Sequence, residues 1–444
     1  MPDGKLVGER FRKKEIISPA MEGKMEKVPE EEVEQRISRL QLILAEADLD
    51  GAFILQNVDI YYFSGTIQAT VLFVPREGSP VLMVQKAWER AQEESPLEKI
   101  VRIKNPNQVV QVLRDFGVNI LETAGLEMDV LPVNIYFGYR KYFPQCRWVD
   151  ISGKIRKLRM IKSSYEIDQI RRAAVILNRG FTEIRELMRE GMTELEIDGW
   201  LALIARRQGH MGILRMRGWN QEMTHAHVLS GESGSEISFL NSPHGGTGNT
   251  PAMAQGAGNR SIRKNEPIGI DYGVAVNGYT GDQFRTFVIG NLSKTLERAH
   301  DCSRDIHRLL VREAKPGRRC SDLYNLAVEE ATNKGYSDFF MGHGDGQTRF
   351  VGHGIGLEID EYPIIATHSE DRIEVGMVIA IEPKFIFPGK GVVGLEDDYL
   401  VTPSGLERLT LTDQVLLQVH ALPQQRRRRS SEINFKQATQ SAVL

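Results

Sequence analysis

Cysteine is scarce in this chain: Cys146, Cys302 and Cys320 are the only three among 444 residues. Odd in number, far apart and outside metal-ligand spacing, they exclude a disulfide framework and a thiolate metal cluster. They fit a reducing compartment, with unpaired and mostly buried thiols. No apolar run reaches the roughly 18 residues of a membrane helix. The opening MPDGKLVGERFRKKE lacks the apolar stretch of a secretory signal. A large excess of one charge is also lacking: the net charge is −3, so nothing calls for a polyanionic partner. HExxH, GxSxG, GxxxxGKS/T and CxxC are all missing, which removes the usual signatures of the zinc helix, the nucleophile elbow, the phosphate loop and the redox thiol pair. The expectation is a cytoplasmic protein that binds neither membrane nor nucleic acid.

What is present is an ordinary globular balance, 41% hydrophobic and 26% charged, over a length that calls for two or three domains. Residues 1–28 are charged and aperiodic and read as an extension. Residues 29–156 read as a mixed α/β unit. There EEEVEQRISRLQLILAEADLDG has helical spacing at Val33, Ile37, Leu40, Leu44 and Ala47, with Gly51 marking its end. GAFILQ reads as a buried strand, and ATVLFVPREGSPVLMVQ as two strands joined around Glu77-Gly78. Residues 157–422 form a second unit. Ser163 and Glu166 are spaced as a capping box before Ile167, Ile170, Ala174 and Leu177, and Thr193 with Glu196 repeats the device. Further helical patterns, SKTLERAHDCSRDIHRLLVREA and SDLYNLAVEEATNKG, stand apart from Gly-rich, strand-like segments, so the fold class is α+β. Residues 423–444, with Arg426 to Arg429, read as a disordered basic tail.

The residues that carry chemistry sit on two candidate hairpins and one glycine-rich loop. In PIGIDYGVAVNGYTGDQFRTFVIG, Asn277-Gly278 is a strong signal for a two-residue turn. With that turn Val276 opposes Tyr279, Gly273 opposes Asp282 and Asp271 opposes Phe284. Asp271 and Asp282 then share a face as diagonal neighbours, roughly 7–8 Å apart at the backbone, within reach of a common ion. A solvent-facing acidic pair is the alternative. In MVIAIEPKFIFPGKGVVGLEDDYLVT, a three-residue loop pairs Phe387 with Gly391 and sets Glu382 opposite Glu396, whereas a four-residue loop turns them apart. The apolar run before Glu382 implies burial, with a metal or an arginine as partner. His353 lies between Gly352 and Gly354 in GHGIGLEIDEYP, where glycines permit unusual backbone angles and close approach by a ligand. Together the two aspartates, two glutamates and one histidine suit Mn²⁺, Fe²⁺, Co²⁺ or Zn²⁺, with Mn²⁺ favoured by the carboxylates. Four carboxylates exceed what one divalent ion balances; two ions bridged by water or hydroxide fit better.

The segments IGIDYGVAVNGYTGDQFRTF, GHGIGLEIDEYP, IEPKFIFPGKG and VVGLEDDYLVT, in their order and spacing, resemble the pita-bread metallopeptidases, the family of methionine aminopeptidase, prolidase and aminopeptidase P. The helix KSSYEIDQIRRAA looks like the opening helix of that fold, and residues 30–155 look like the creatinase/prolidase-type N-terminal domain, which favours the proline-directed branch. The resemblance implies two divalent ions on Asp271, Asp282, His353, Glu382 and Glu396, a homodimer, and a peptide substrate cut near its N-terminus at an Xaa-Pro bond, with Glu382 moving the proton. Asp360 departs from the family, which has a substrate-contacting histidine there. A carboxylate accepts hydrogen bonds but does not donate them, which implies a shifted preference, for a cationic or amide-bearing group. A second family histidine, ahead of the first aspartate, is matched to His244, with His225 and His227 as runners-up; His343 reads as a loop residue. Two other classes stand beside this one: a metal-holding family member that acts by binding, and a hydrolase of a non-peptide amide. Creatinase-like members have lost the ligands, and all five are retained here.

Overall fold

The computed structural model describes residues 25–224 and 226–419. The basic tail, most of the N-terminal extension and His225 lie outside the described residues. The first helix, Glu30–Glu46, buries Val33, Ile37, Leu40 and Leu44 along one face. It ends earlier than Gly51 suggests: Asp48 takes the left-handed conformation, φ 51°, and Gly51 already begins β1 (Gly51–Ile54). What Gly51 provides is room, since a Cβ there would lie 2.5 Å from the Phe73 ring. Strands β2 (Val71–Pro75) and β3 (Val81–Val84) make the hairpin around Glu77-Gly78. With β4 (Ile100–Arg102), β5 (Thr123–Leu126) and β6 (Arg147–Asp150) they complete a six-stranded mixed sheet in the order β4-β3-β2-β1-β5-β6.

The second domain opens on helix Ser164–Leu187, where the Ser163 side chain accepts from the Glu166 backbone and the Glu166 side chain accepts from that of Ser163; Thr193 and Glu196 cap helix Glu194–Arg207 in the same way. Ser163→Ala removes one of these cap bonds, and a loss of about 1 kcal/mol is expected, measured as a lower denaturation midpoint.

Three strands follow: β7 (Ala226–Ser230), β8 (Pro267–Val276) and β9 (Tyr279–Val288). Every residue of β8 and β9 is buried. Helix Ser164–Leu187 covers one face of this sheet so closely that a Cβ on Gly180 would lie 2.5 Å from Tyr272. Helices Lys294–Glu313 and Cys320–Asn333 precede β10 (Phe350–Gly354), β11 (Glu361–Ala366) and β12 (Val378–Ile381). The chain then forms the hairpin β13 (Lys384–Phe387) and β14 (Gly391–Gly394), and closes with β15 (Asp397–Thr402), β16 (Gly405–Arg408) and β17 (Leu417–Gln418). One sheet has the order β11-β10-β12-β15-β16 and another β17-β9-β8-β7. An isolated bridge pairs Arg285 of β9 with Leu395, in the link between β14 and β15, which brings both carboxylate hairpins to one place. The architecture is two-domain α+β, as expected.

A buried ionic network ties the domains together. Arg159 donates to Asp59 (2.7 Å), Glu358 (3.0 Å) and Glu361. Arg217 donates to Asp59 (2.7 Å) and, through two nitrogens, to Asp129 (2.6 and 2.9 Å). Lys162 adds a contact to Glu361 (3.1 Å). Burial alone would raise the Glu361 carboxyl, but Arg159 and Lys162 outweigh it and hold the group at about 2. A depressed folded-state pKa stabilises above the ordinary carboxylate range, and that contribution is lost as pH falls toward 2. The acid limb of a stability–pH curve is therefore expected to be shallower in Glu361→Gln than in the native chain, by denaturation midpoints between pH 5 and pH 2.

Candidate metal centre

The β8–β9 register is the one that the Asn277-Gly278 turn implies: Val276 opposes Tyr279, Gly273 opposes Asp282 and Asp271 opposes Phe284. Both aspartates are buried, so a solvent-facing acidic pair is ruled out. Arg285, two residues before Phe287 and fully buried, donates to Asp397 (2.6 Å) and to the carbonyl of Glu396 (2.7 Å). The Asp282 backbone donates to Asp398 (2.8 Å). These bonds fix Glu396 beside Asp282.

The second hairpin uses the three-residue loop. Phe387 pairs with Gly391 in β13–β14, and Ile381 pairs with Asp397 in β12–β15. The same register runs through both, so Glu382 and Glu396 face each other. His353 lies on β10 between β11 and β12, paired with Ile364 and Ala380. Its flanking glycines serve the sheet rather than a ligand. Neither has positive φ, and a Cβ would lie 2.3 Å from the Ala380 carbonyl oxygen at Gly352 and 2.1 Å from the Tyr362 carbonyl oxygen at Gly354.

Asp282, His353 and Glu396 each offer one ligand atom, all within 4.8 Å of one another. Glu382 Oε1 lies 3.7 Å and Glu396 Oε1 3.8 Å from His353 Nε2. Asp282 Oδ1 is buried with no hydrogen-bond partner among the described residues. Its carboxyl is pushed well above the usual range by burial and by the charges of Glu396, Asp271 and Asp398. Burial disfavours a charged His353, but Asp360, Glu382 and Glu396 outweigh it and raise the imidazole to about 9. An orphaned carboxylate oxygen, repelled by its neighbours and facing an imidazole, is a donor set that fits a divalent ion.

The other two expected ligands stand differently. Asp271 and Glu382 both accept hydrogen bonds from Lys384, whose Nζ lies 3.1 Å from Asp271 Oδ2, 2.7 Å from Glu382 Oε2 and 2.7 Å from Glu396 Oε2. Lys384 has no place in the sequence-based site. Carrying the three-residue-loop register one step further would have found it: Lys384 sits two residues from Glu382, inside an otherwise apolar strand.

Of the expected histidines, His244 is buried with Nε2 3.1 Å from Asp271 Oδ2. His227 pairs with Asp271 across β7–β8 and stacks edge-on against His244, with ring centroids 6.1 Å apart. Burial, reinforced by His244, lowers His227 to about 4. Burial also lowers His244, against the opposing pull of Asp271. His343 stands aside, its Nε2 2.9 Å from the Ser235 carbonyl oxygen. Asp360 Oδ1 lies 3.5 Å from His353 Nδ1, with the aspartate side chain 47% exposed.

All of these carboxylates border one cavity of about 390 Å³, which Asp271, Asp282, His353, Asp360, Glu382 and Glu396 line together with His227. Arg156, Arg217, Met216 and Trp219 line it as well; sequence reasoning missed them because nothing in the local pattern sets them apart from other residues of their types.

A model of metallopeptidase family M24 matches residues 168–403, and a model of the creatinase/prolidase N-terminal domain matches residues 36–161. The chain belongs to metallopeptidase family M24. That membership makes it a metallo-hydrolase in class, with divalent metal as the family's cofactor. Among its relatives is the Xaa-Pro dipeptidase of Pyrococcus furiosus, 28% identical over 387 residues, which span 87% of this chain and all of the relative. The structure of an Xaa-Pro dipeptidase from Bacillus anthracis superposes with a TM-score of 0.74 at 26% identity, covering 87% of this chain and 99% of that one. The prolidase from Pyrococcus furiosus superposes with a TM-score of 0.70 at 27% identity, over 84% of this chain and 99% of that one. Among the described residues of this M24 chain, no helix is long and apolar enough to cross a membrane.

Proposed function

We propose that this chain hydrolyses a peptide bond near the N-terminus of a small peptide, with proline on the leaving side. The observation that carries the reading is the three-donor group Asp282, His353 and Glu396 on the wall of a peptide-sized cavity. Those three residues would hold a divalent ion, with Mn²⁺ favoured by the carboxylate donors. Such an ion supplies Lewis acidity toward a carbonyl and lowers the pKa of water. Glu382 borders the same cavity and takes the proton that the attacking water sheds, then returns it to the leaving amine. His227, held neutral by burial, has no partner at Nε2 among the described residues; it can donate to the oxygen that becomes negative, which an ionised Asp360 cannot. His244 contacts Asp271 and steadies that wall. The printed names of the Pyrococcus and Bacillus relatives support proline as the leaving residue. The unpaired thiols of Cys146, Cys302 and Cys320 support the cytoplasm as its compartment, and the family resemblance supports a homodimer, with domain limits near residues 28, 156 and 422.

The test is turnover of Xaa-Pro dipeptides and of longer Xaa-Pro peptides by Mn²⁺-loaded protein. Metal bound without turnover would retire the proline-peptidase reading. Asp360 favours a second reading, hydrolysis of a non-peptide amide or of a substrate with a cationic group, because a carboxylate stands on the cavity wall where the family places a donor. Asp360→His is then expected to raise Xaa-Pro turnover at least tenfold, measured as kcat/KM beside the native chain.

A further inference from the structure

Lys384 lies at the heart of the centre and has no role in the reaction proposed above. Its ammonium has three protons and meets three carboxylate oxygens, on Asp271, Glu382 and Glu396, at 3.1, 2.7 and 2.7 Å. The residue is 1% exposed, and its Nζ lies 4.9 Å from the centroid of the Phe284 ring. Lys384 pairs with Gly394 on β14, and a Cβ on Gly394 would lie 2.9 Å from Lys384 Cα and 3.0 Å from its Cγ.

The ammonium divides the carboxylates unequally. Glu382 and Glu396 each give Oε2 to Lys384 and turn Oε1 toward His353. Asp282 is not among the carboxylates that Lys384 hydrogen-bonds, and its Oδ1 is left without a hydrogen-bond partner among the described residues. The oxygens of Asp271, Glu382 and Glu396 therefore already surround one cation, while Asp282, His353 and Glu396 remain free to surround another. A divalent ion at the first position would need those same oxygens at about 2.0–2.2 Å, in contact with an ammonium of like charge. Pushing the ammonium off these oxygens inside the protein would leave its buried charge without partners, which is strongly unfavourable.

We infer that the Lys384 ammonium occupies one of the two cation positions as a built-in, non-exchangeable charge, so that the centre takes a single divalent ion, on Asp282, His353 and Glu396. The inference rests on the metallo-hydrolase reading above and departs from the two ions that carboxylate charge alone suggests. One ammonium and one divalent ion leave a single unbalanced negative charge among the four carboxylates, so the second ion is not required for neutrality.

The experiment counts metal. The full chain is stripped with chelator, loaded with excess Mn²⁺ or Co²⁺, freed of unbound ion, and assayed for metal per chain by elemental analysis and by titration calorimetry. The expected result is one ion per native chain and two per Lys384→Gly chain. Removing metal is also expected to lower the thermal midpoint more in Lys384→Gly than in the native chain, because the variant loses both cations and the native chain keeps one. Two ions in the native chain overturn the inference and leave the hydrolase reading standing. No ion in the native chain overturns both. One ion in a folded Lys384→Gly chain also overturns the inference. Lys384→Met, which keeps the length of the stem without its charge, serves as the second variant if the glycine chain does not fold; the native count decides even without either.

Discussion

Glu382→Gln is expected to lower kcat by about 10²- to 10⁴-fold, the usual span for loss of a general base, with a much smaller change in KM. The amide keeps the size of the side chain but cannot take a proton from water. It can still accept from Lys384, which lies 2.7 Å from Glu382 Oε2, so the cavity wall keeps its shape. Because Asp282, His353 and Glu396 are untouched, the variant should bind metal as the native chain does. The check is steady-state turnover of an Xaa-Pro substrate together with metal content. A variant that keeps its metal and retains more than a tenth of native turnover would remove Glu382 from the proton path.

The second large effect is structural. Arg159→Leu takes the central cation from a network in which Asp59, Glu358 and Glu361 are all buried. Breaking a buried pair from one side leaves uncompensated charge, at about 3–5 kcal/mol, and the thermal midpoint should fall by roughly 10 °C. The contrast is Arg171→Ala, which loses a pair with Glu407 in which both side chains are 47% exposed; screening makes that pair worth little, so its midpoint should hardly move. Equal shifts in the two variants would mean that the network does not hold the domains together. Glu361 follows Asp360 in the chain, and a loosened network should also lower turnover in the protein that remains folded, read as kcat at a temperature well below the midpoint.

The two carboxylate hairpins show how far a local pattern reaches. Asn277-Gly278 fixes its own turn chemistry and, through the two-residue period of strands, the face on which Asp271 and Asp282 lie. Pro388-Gly389-Lys390-Gly391 carries no such restriction, so two registers were compatible with the residues. The choice between them came from β12 and β15, which pair Ile381 with Asp397 and carry the same register into the hairpin. The glycines beside His353 differ from their local reading for a similar reason. Their need for space comes from Ala380 and Tyr362 on neighbouring strands, and no window of sequence around them contains those partners. Gly51 reads as a helix stop because the helix pattern and a glycine coincide, yet the helix ends before it, ahead of a left-handed Asp48.

By itself the sequence determined the class of protein: its helix caps, its turn at Asn277-Gly278, its burial pattern and the ordered segments whose resemblance points to the family. Those features depend on residues close in the chain, or on order along it, and are readable there. Only the tertiary structure decided how the charges of the centre are shared. Lys384 is one basic residue among many in the sequence, and becomes a cation of the site only when the β13–β14 hairpin carries it against Asp271, far away on β8. Electrostatic interaction depends on distance in space and on exclusion of water, and neither is written in the local order of residues.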